Sequence, residues 1–205
     1  MKTLLIAALG ILLQAGAHAG PGRDALDAFL SDLDTLQAKF EQSVLDTENA
    51  TTGQMYGLFL LDRPGKFRWD YVAPRSQVIL ADGRDVWIIE EELKQVTRHL
   101  QRWALKGTPA AFLTTDADIE VDFEVIELGE KVGMQWLELI PRDPESDLNR
   151  VLLAFVDNEL RRLELNDKFG QISRFTFLDI KRNIPIDPEL FVYQGEDDWD
   201  VLQVD

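Results

Sequence analysis

Hydrophobic and polar positions change their period once along this chain, dividing it into a helical start and a long β-rich remainder. Over residues 24–38, Leu26, Phe29, Leu30, Leu33 and Leu36 recur at spacings of three and four. That spacing lays one apolar stripe along a helix with a polar back. Asp24 stands where an N-cap is useful. From Lys39 the period falls to two, and strands are predicted over 39–45, 52–62, 66–71, 77–81, 85–90 and 93–98. Arg63-Pro64-Gly65, Ala73-Pro74-Arg75 and Asp82-Gly83 separate them with turn chemistry. Connections this short make neighbours antiparallel, because a parallel pair needs a long crossover. A second set is predicted over 119–128, 134–141, 151–156, 159–166 and 171–180, punctuated by Gly129, Asp157-Asn158 and Lys168-Phe169-Gly170.

Between the two sets the alternation breaks. Trp103, Leu105, Ala110, Ala111, Phe112 and Leu113 surround Gly107-Thr108-Pro109. This predicts short helical turns, with Thr108 as N-cap and Pro109 at the first helical position. About eleven strands with one leading helix and one helical insertion make a mainly β fold with some α: a large antiparallel sheet that curls, its helices covering one face or mouth. In Lys66-Phe67-Arg68-Trp69-Asp70-Tyr71 three aromatics point one way, and in the stretch from Asp118 to Val125 acids and apolar residues alternate. Both read as strands with one wet side. Periodicity leaves open whether the apolar face fills a solid core or lines a cavity.

The first nineteen residues stand outside this pattern. Lys2 gives a positive start, residues 4–13 form an apolar run broken only by Gly10, and Ala17-His18-Ala19 is a small-x-small cleavage signature. This is a signal peptide, removed on export, leaving residues 20–205 as a single domain. A membrane span needs roughly 20 apolar residues, about twice what this run offers. Cysteine is absent, which excludes disulfides, thiol chemistry and a lipid anchor attached through cysteine. The formal net charge is -16, and removing the signal peptide takes away one lysine and no acid. So acidic a surface repels nucleic acid and anionic headgroups, and suits a freely diffusing protein that docks on basic partners.

The residues offer little chemistry. Of two histidines, His18 leaves with the signal peptide and His99 stands beside Arg98, Arg102 and Trp103. The usual zinc, copper and Cys-His constellations are therefore missing, and no GxSxG elbow accompanies His99. Asp116-x-Asp118-x-Glu120 lacks the glycine and distal glutamate of a calcium loop, so a strand is expected there. Asp197, Asp198, Asp200 and Asp205 make an acidic tail, expected to be solvated and frayed. No enzyme, metal or cofactor is expected.

From Arg63 to Tyr71 the chain resembles the outer-membrane lipoprotein carrier protein (LolA) family. Phe40-x-Gln42, Asp82-Gly83 followed by Trp87, Gln95-Val96-Thr97 and Thr108-Pro109 stand in the same order. The resemblance implies an incomplete, half-open antiparallel barrel with a helical lid over a hydrophobic cavity. It implies a periplasmic chaperone that carries acylated outer-membrane lipoproteins from an inner-membrane ABC transporter to an outer-membrane receptor. A monomer that binds no nucleic acid is expected. The resemblance implies that the family's lid-closing arginine falls on Arg63, its cavity-mouth aromatic on Phe67 and the following tryptophan on Trp69; Tyr71, Trp87, Leu33, Phe112 and Leu113 complete the expected cavity and lid. Arg68, charged between two aromatics, and the acidic tail depart from the family pattern. Three rivals differ in what they need: the pathway's receptor needs an N-terminal cysteine, a sensor of the same fold needs extra sequence, and a hydrolase needs paired carboxylates in a polar cleft.

Overall fold

The computed structural model describes residues 20–116, 118–195 and 199–204. The expected signal peptide and Asp197, Asp198 and Asp205 of the tail lie outside the described residues. Helix α1 (Pro21–Leu30) leads into β1 (Thr35–Leu45), β2 (Thr51–Asp62), β3 (Lys66–Ala73), β4 (Gln77–Asp82), β5 (Asp85–Glu90) and β6 (Gln95–Leu100). Three short helices follow, α2 (Gln101–Ala104), α3 (Pro109–Thr114) and α4 (Ile119–Asp122). Then come β7 (Phe123–Lys131), β8 (Met134–Pro141), β9 (Leu148–Val156), β10 (Glu159–Asp167), β11 (Ile172–Arg182) and β12 (Asp200–Val204).

Among the described residues the strands form one sheet in the order β12-β6-β5-β4-β3-β2-β1-β11-β10-β9-β8-β7. Its ends do not meet, so the barrel stays half open, with β12 and β7 as edges. Every pairing is antiparallel except β12 on β6. The hinge of the sheet is β1, which joins the two hairpin series through β2 and β11.

Four expectations about the elements need correction. The leading helix ends at Leu30, and Leu36 and Ala38 belong to β1, where Leu36, Ala38 and Phe40 are buried at alternate positions. A spacing of three to four and one of two overlap across Leu33, Leu36, Ala38 and Phe40, and the ladders to β2 and β11 decide for the strand. The N-cap of α1 is Gly20, with Pro21 in the first turn, so Asp24 lies inside the helix. Residues 119–122 form a helical turn, because Asp118 accepts from the Glu120 N–H at 3.0 Å and caps it. The tail, read as frayed from its acids, contributes a twelfth strand that pairs Asp200 with Gln95 through to Val204 with His99.

Apolar side chains cover both faces of the β2–β5 quarter. Inside, Phe59, Leu61, Phe67, Ala81 and Val86 join the main core beneath the helices. Outside, Leu60, Val78 and Leu80 pack under a 3₁₀ turn, Pro188–Phe191, whose Phe191 is fully buried. Trp87 belongs to this outer cluster, not to the cavity expected for it. Leu80 faces it across the β4–β5 ladder, so the two share a side. Its ring stacks on Tyr193 with centroids 4.7 Å apart, and its indole N–H donates to Asp82 at 2.9 Å.

Burial acts to raise the Asp82 pKa, but donation from the Asp85 and Arg84 backbone and the Trp87 indole, with the Arg84 charge, brings it below the ordinary aspartate value. A depressed folded-state pKa contributes stability that is complete above the ordinary value and is lost as pH falls through the lowered one. Asp82→Ala is therefore expected to melt below the natural protein at pH 7, with the gap closing as pH falls past the usual carboxylate range. Thermal melts across that window check this, and a gap independent of pH would contradict it.

Candidate functional site

The alternation of β3 aims Phe67, Trp69 and Tyr71 at the inner face, where they meet Phe59 of β2 and Phe175 of β11. Trp69 packs within 4.6 Å of Phe59 and 5.1 Å of both Phe40 and Phe175, between ring centroids. Helix α3 lies across these rings without filling the space beneath it. A cavity of about 260 Å³ remains, with Pro109, Ala110 and Leu113 as its roof and Leu163 and Leu165 of β10 on the far wall. The interior is thus solid on the α1 side and hollow on the α3 side. Under α1 only about 20 Å³ stays open, between Phe29, Leu36, Phe177 and neighbours. Leu113 and Phe59 border both spaces and separate them.

Of the remaining expected site residues, Leu33 and Phe112 are buried in the core but do not line the cavity. Phe112 instead packs edge-on against Phe123, 6.2 Å between centroids. A larger opening of about 600 Å³ lies on the other side of α3, beside Arg84, Arg102 and Lys106. Its cationic rim makes it a poor place for hydrocarbon.

Arg63 is buried to 9% side-chain exposure and sits between the two lid helices. One guanidinium nitrogen donates to the carbonyls of Leu30 at 3.2 Å, the last residue of α1, and Leu33 at 3.3 Å, just past it. Another donates to the carbonyl of Thr115, past α3, and to the Asp116 carboxylate at 2.8 Å. A planar group with five donors suits this fourfold demand. The adjoining turn adds a second tie, since Gly65 N–H donates to Thr114 O at 2.7 Å and Gly65 adopts a φ of +82° that favours glycine.

Several contributors carried no sequence signal. Buried Gln101 donates to Gly65 O at 2.7 Å and accepts from Gly83 N–H at 3.0 Å, joining the β2–β3 and β4–β5 turns. Arg182, two residues beyond the predicted strand 171–180 and the last residue of β11, donates to the carbonyls of Phe29 at 2.8 Å and Ser31 at 3.0 Å, at the end of α1. At the other end of α1, Glu127 accepts from Gly22 N–H at 3.0 Å and Arg23 N–H at 3.2 Å. Asp116 and Glu120, read as the wet face of a strand, pair with Arg63 and with Arg23.

The family model for outer membrane lipoprotein carrier protein LolA matches residues 31–194. An outer-membrane lipoprotein carrier protein of Nitrosospira multiformis is 36% identical over 193 residues, 94% of this chain and 93% of its own. One from Dechloromonas aromatica is 35% identical over 202 residues, 98% and 97% of the two chains. Among solved structures, an uncharacterized conserved protein of Thermus thermophilus superposes with a TM-score of 0.55 at 14% identity, covering 88% of this chain and 96% of that one. That likeness speaks to the fold alone. With the family model spanning most of its length and relatives above one-third identity nearly end to end, the chain belongs to the outer-membrane lipoprotein carrier protein (LolA) family.

Proposed function

We propose that this protein is a periplasmic chaperone that shelters the acyl chains of outer-membrane lipoproteins, receiving them from an inner-membrane ABC transporter and passing them to an outer-membrane receptor. It acts as a monomer, by reversible binding without a chemical step. The observation that carries this reading is an apolar cavity roofed by a helix that a buried arginine ties shut.

Acyl chains leaving a membrane forgo about 0.8 kcal/mol for each CH₂ exposed to water, so they need an apolar host in transit. The closed cavity, at about 260 Å³, falls short of the roughly 300–1,000 Å³ that enclose even drug-sized ligands. Several fatty chains therefore enter only as α3 lifts, and the ties that close it oppose their entry. That opposition is what lets cargo leave. An acidic surface keeps the carrier from resting on anionic membranes between partners.

The names of relatives matched nearly end to end favour the carrier over a sensor built on the same sheet. Purification from periplasm followed by mass spectrometry tests the reading: triacylated polypeptides are expected to co-elute. A protein that never carries a lipid-modified polypeptide, even when the receptor is depleted, would overturn it.

A further inference from the structure

The cavity is apolar but not featureless, and its polar groups differ in what they are already doing. Thr108 and Thr114 line it, yet their hydroxyls donate to the carbonyls of Leu105 at 2.7 Å and Ala110 at 2.6 Å. The Trp69 indole N–H has no acceptor, but it is buried, in a side chain packed among Phe40, Phe59 and Phe175. Tyr71 is different. Its ring is fixed edge-on against Phe40 at 5.1 Å, while its hydroxyl has no hydrogen-bond partner among the described residues and is not sealed.

Tyr71 also stands at a border. It lines the apolar cavity and, on its other side, an open groove of about 280 Å³ between the β3–β4 turn and the 3₁₀ turn Glu91–Leu93. Arg75, Gln77, Glu90 and Glu92 give that groove a polar lining. An unused donor at the join of an oily and a polar compartment matches one kind of ligand group, a carbonyl with hydrocarbon on one side and polar matter on the other. Burial pushes the Tyr71 pKa up to about 12, so the hydroxyl stays a neutral donor at physiological pH.

We propose that the Tyr71 hydroxyl recognises the ester carbonyl of a bound acyl chain, holding the linkage at the cavity mouth with the tail inward and the polar head in the Arg75–Glu92 groove. The assignment rests on the carrier reading and deepens it. It makes the site selective for acyl esters over plain hydrocarbon of equal length.

Two synthetic probes differing only in their carbonyls separate the outcomes: a dipalmitoylglyceryl-cysteinyl peptide and its dihexadecyl ether analogue, each titrated into the mature protein. The natural protein is expected to bind the ester about five- to tenfold more tightly, the size of one hydrogen bond in an apolar setting. Tyr71→Phe removes one oxygen; it is expected to abolish that preference by weakening ester binding alone, with an unchanged melting temperature. Equal loss for both probes would mean that Tyr71 only packs, and no preference in the natural protein would remove the carbonyl contact; either overturns the proposal while leaving the carrier reading intact. Failure to bind either probe would overturn both.

Discussion

Replacing Arg63 with leucine should yield a carrier that takes up lipid more tightly than the natural protein and barely hands it on. Leucine keeps an apolar filling at a buried position, so the sheet is expected to fold. The closed lid loses its tie. The carbonyls of Leu30, Leu33 and Thr115 lose their donor, and Asp116 loses its cation. Asp116 is almost fully exposed, so its pairing contributes little, and the weight falls on the three carbonyls. Hydrogen bonds from a charged donor are each worth about 1.5–3 kcal/mol, and water recovers part of this when the lid opens. A net loss of about 2–3 kcal/mol from the closed state is expected, and it raises affinity for any ligand of the open state roughly 30- to 150-fold. The equilibrium that passes cargo to the receptor becomes less favourable by the same factor, so transfer is expected to collapse.

The effect should fall unevenly on the two helices. Arg182 and Glu127 hold α1 at both of its ends independently of Arg63, whereas the tie from the β2–β3 turn to α3 that survives the change is the Gly65–Thr114 bond. Helix α3 is thus the part expected to swing, which hydrogen exchange resolved along the chain would show. Arg63→Lys should recover little, because an ammonium on a flexible stem cannot span acceptors on both helices at once. Lipid titration and receptor transfer measured side by side decide the matter; natural affinity and natural transfer in Arg63→Leu would leave the closing role without support.

Much of this arrangement could be read from residue order, for reasons that also explain what could not. The strands from β2 to β5 and β8 to β10 announce themselves because Pro, Gly and Asp-Asn turns bracket short runs rich in apolar and β-branched residues. The family resemblance singled out Arg63 and the aromatics of β3, and the alternation of Lys66 to Tyr71 set those aromatics on one side. Alternation says that neighbours face opposite ways but not which way is inward. Where both faces are apolar, as at Leu80, Ala81, Val86 and Trp87, the choice depends on Phe191, more than a hundred residues away. Residues 119–122 alternate as a strand should, yet local capping by Asp118 needs only four residues to win. Gln101, Arg182 and Glu127 act through backbone groups, and a backbone donor or acceptor leaves no mark in a sequence.

Gly57→Ala should be the most damaging single-methyl change in the sheet. Gly57 lies in β2 opposite Phe40 on one side and Tyr71 on the other. A Cβ there would overlap the Asp70 carbonyl oxygen and come within 2.5 Å of Cε1 and 2.6 Å of Cζ of Phe40. The absent side chain is the slot in which the Phe40 ring lies, and that ring in turn supports Trp69 and Tyr71, each 5.1 Å away between centroids. Neither obstacle can move cheaply. The carbonyl belongs to the β3 backbone beside a register shift, and the ring is 1% exposed and packed on three sides. Overpacking that forces a backbone shift is expected to cost at least about 3 kcal/mol, lowering the melting temperature by about 6–12 °C in a domain of this size. Because the displaced rings are the cavity wall, lipid affinity should fall as well, unlike in a change that weakens the outer cluster alone. Pairing the change with Phe40→Ala distinguishes the causes: with the ring gone, the total penalty of the double variant should be clearly smaller than the sum of the two single ones, the clash with the Asp70 carbonyl being what remains. Strict additivity would show that the ring does not occupy the glycine's slot.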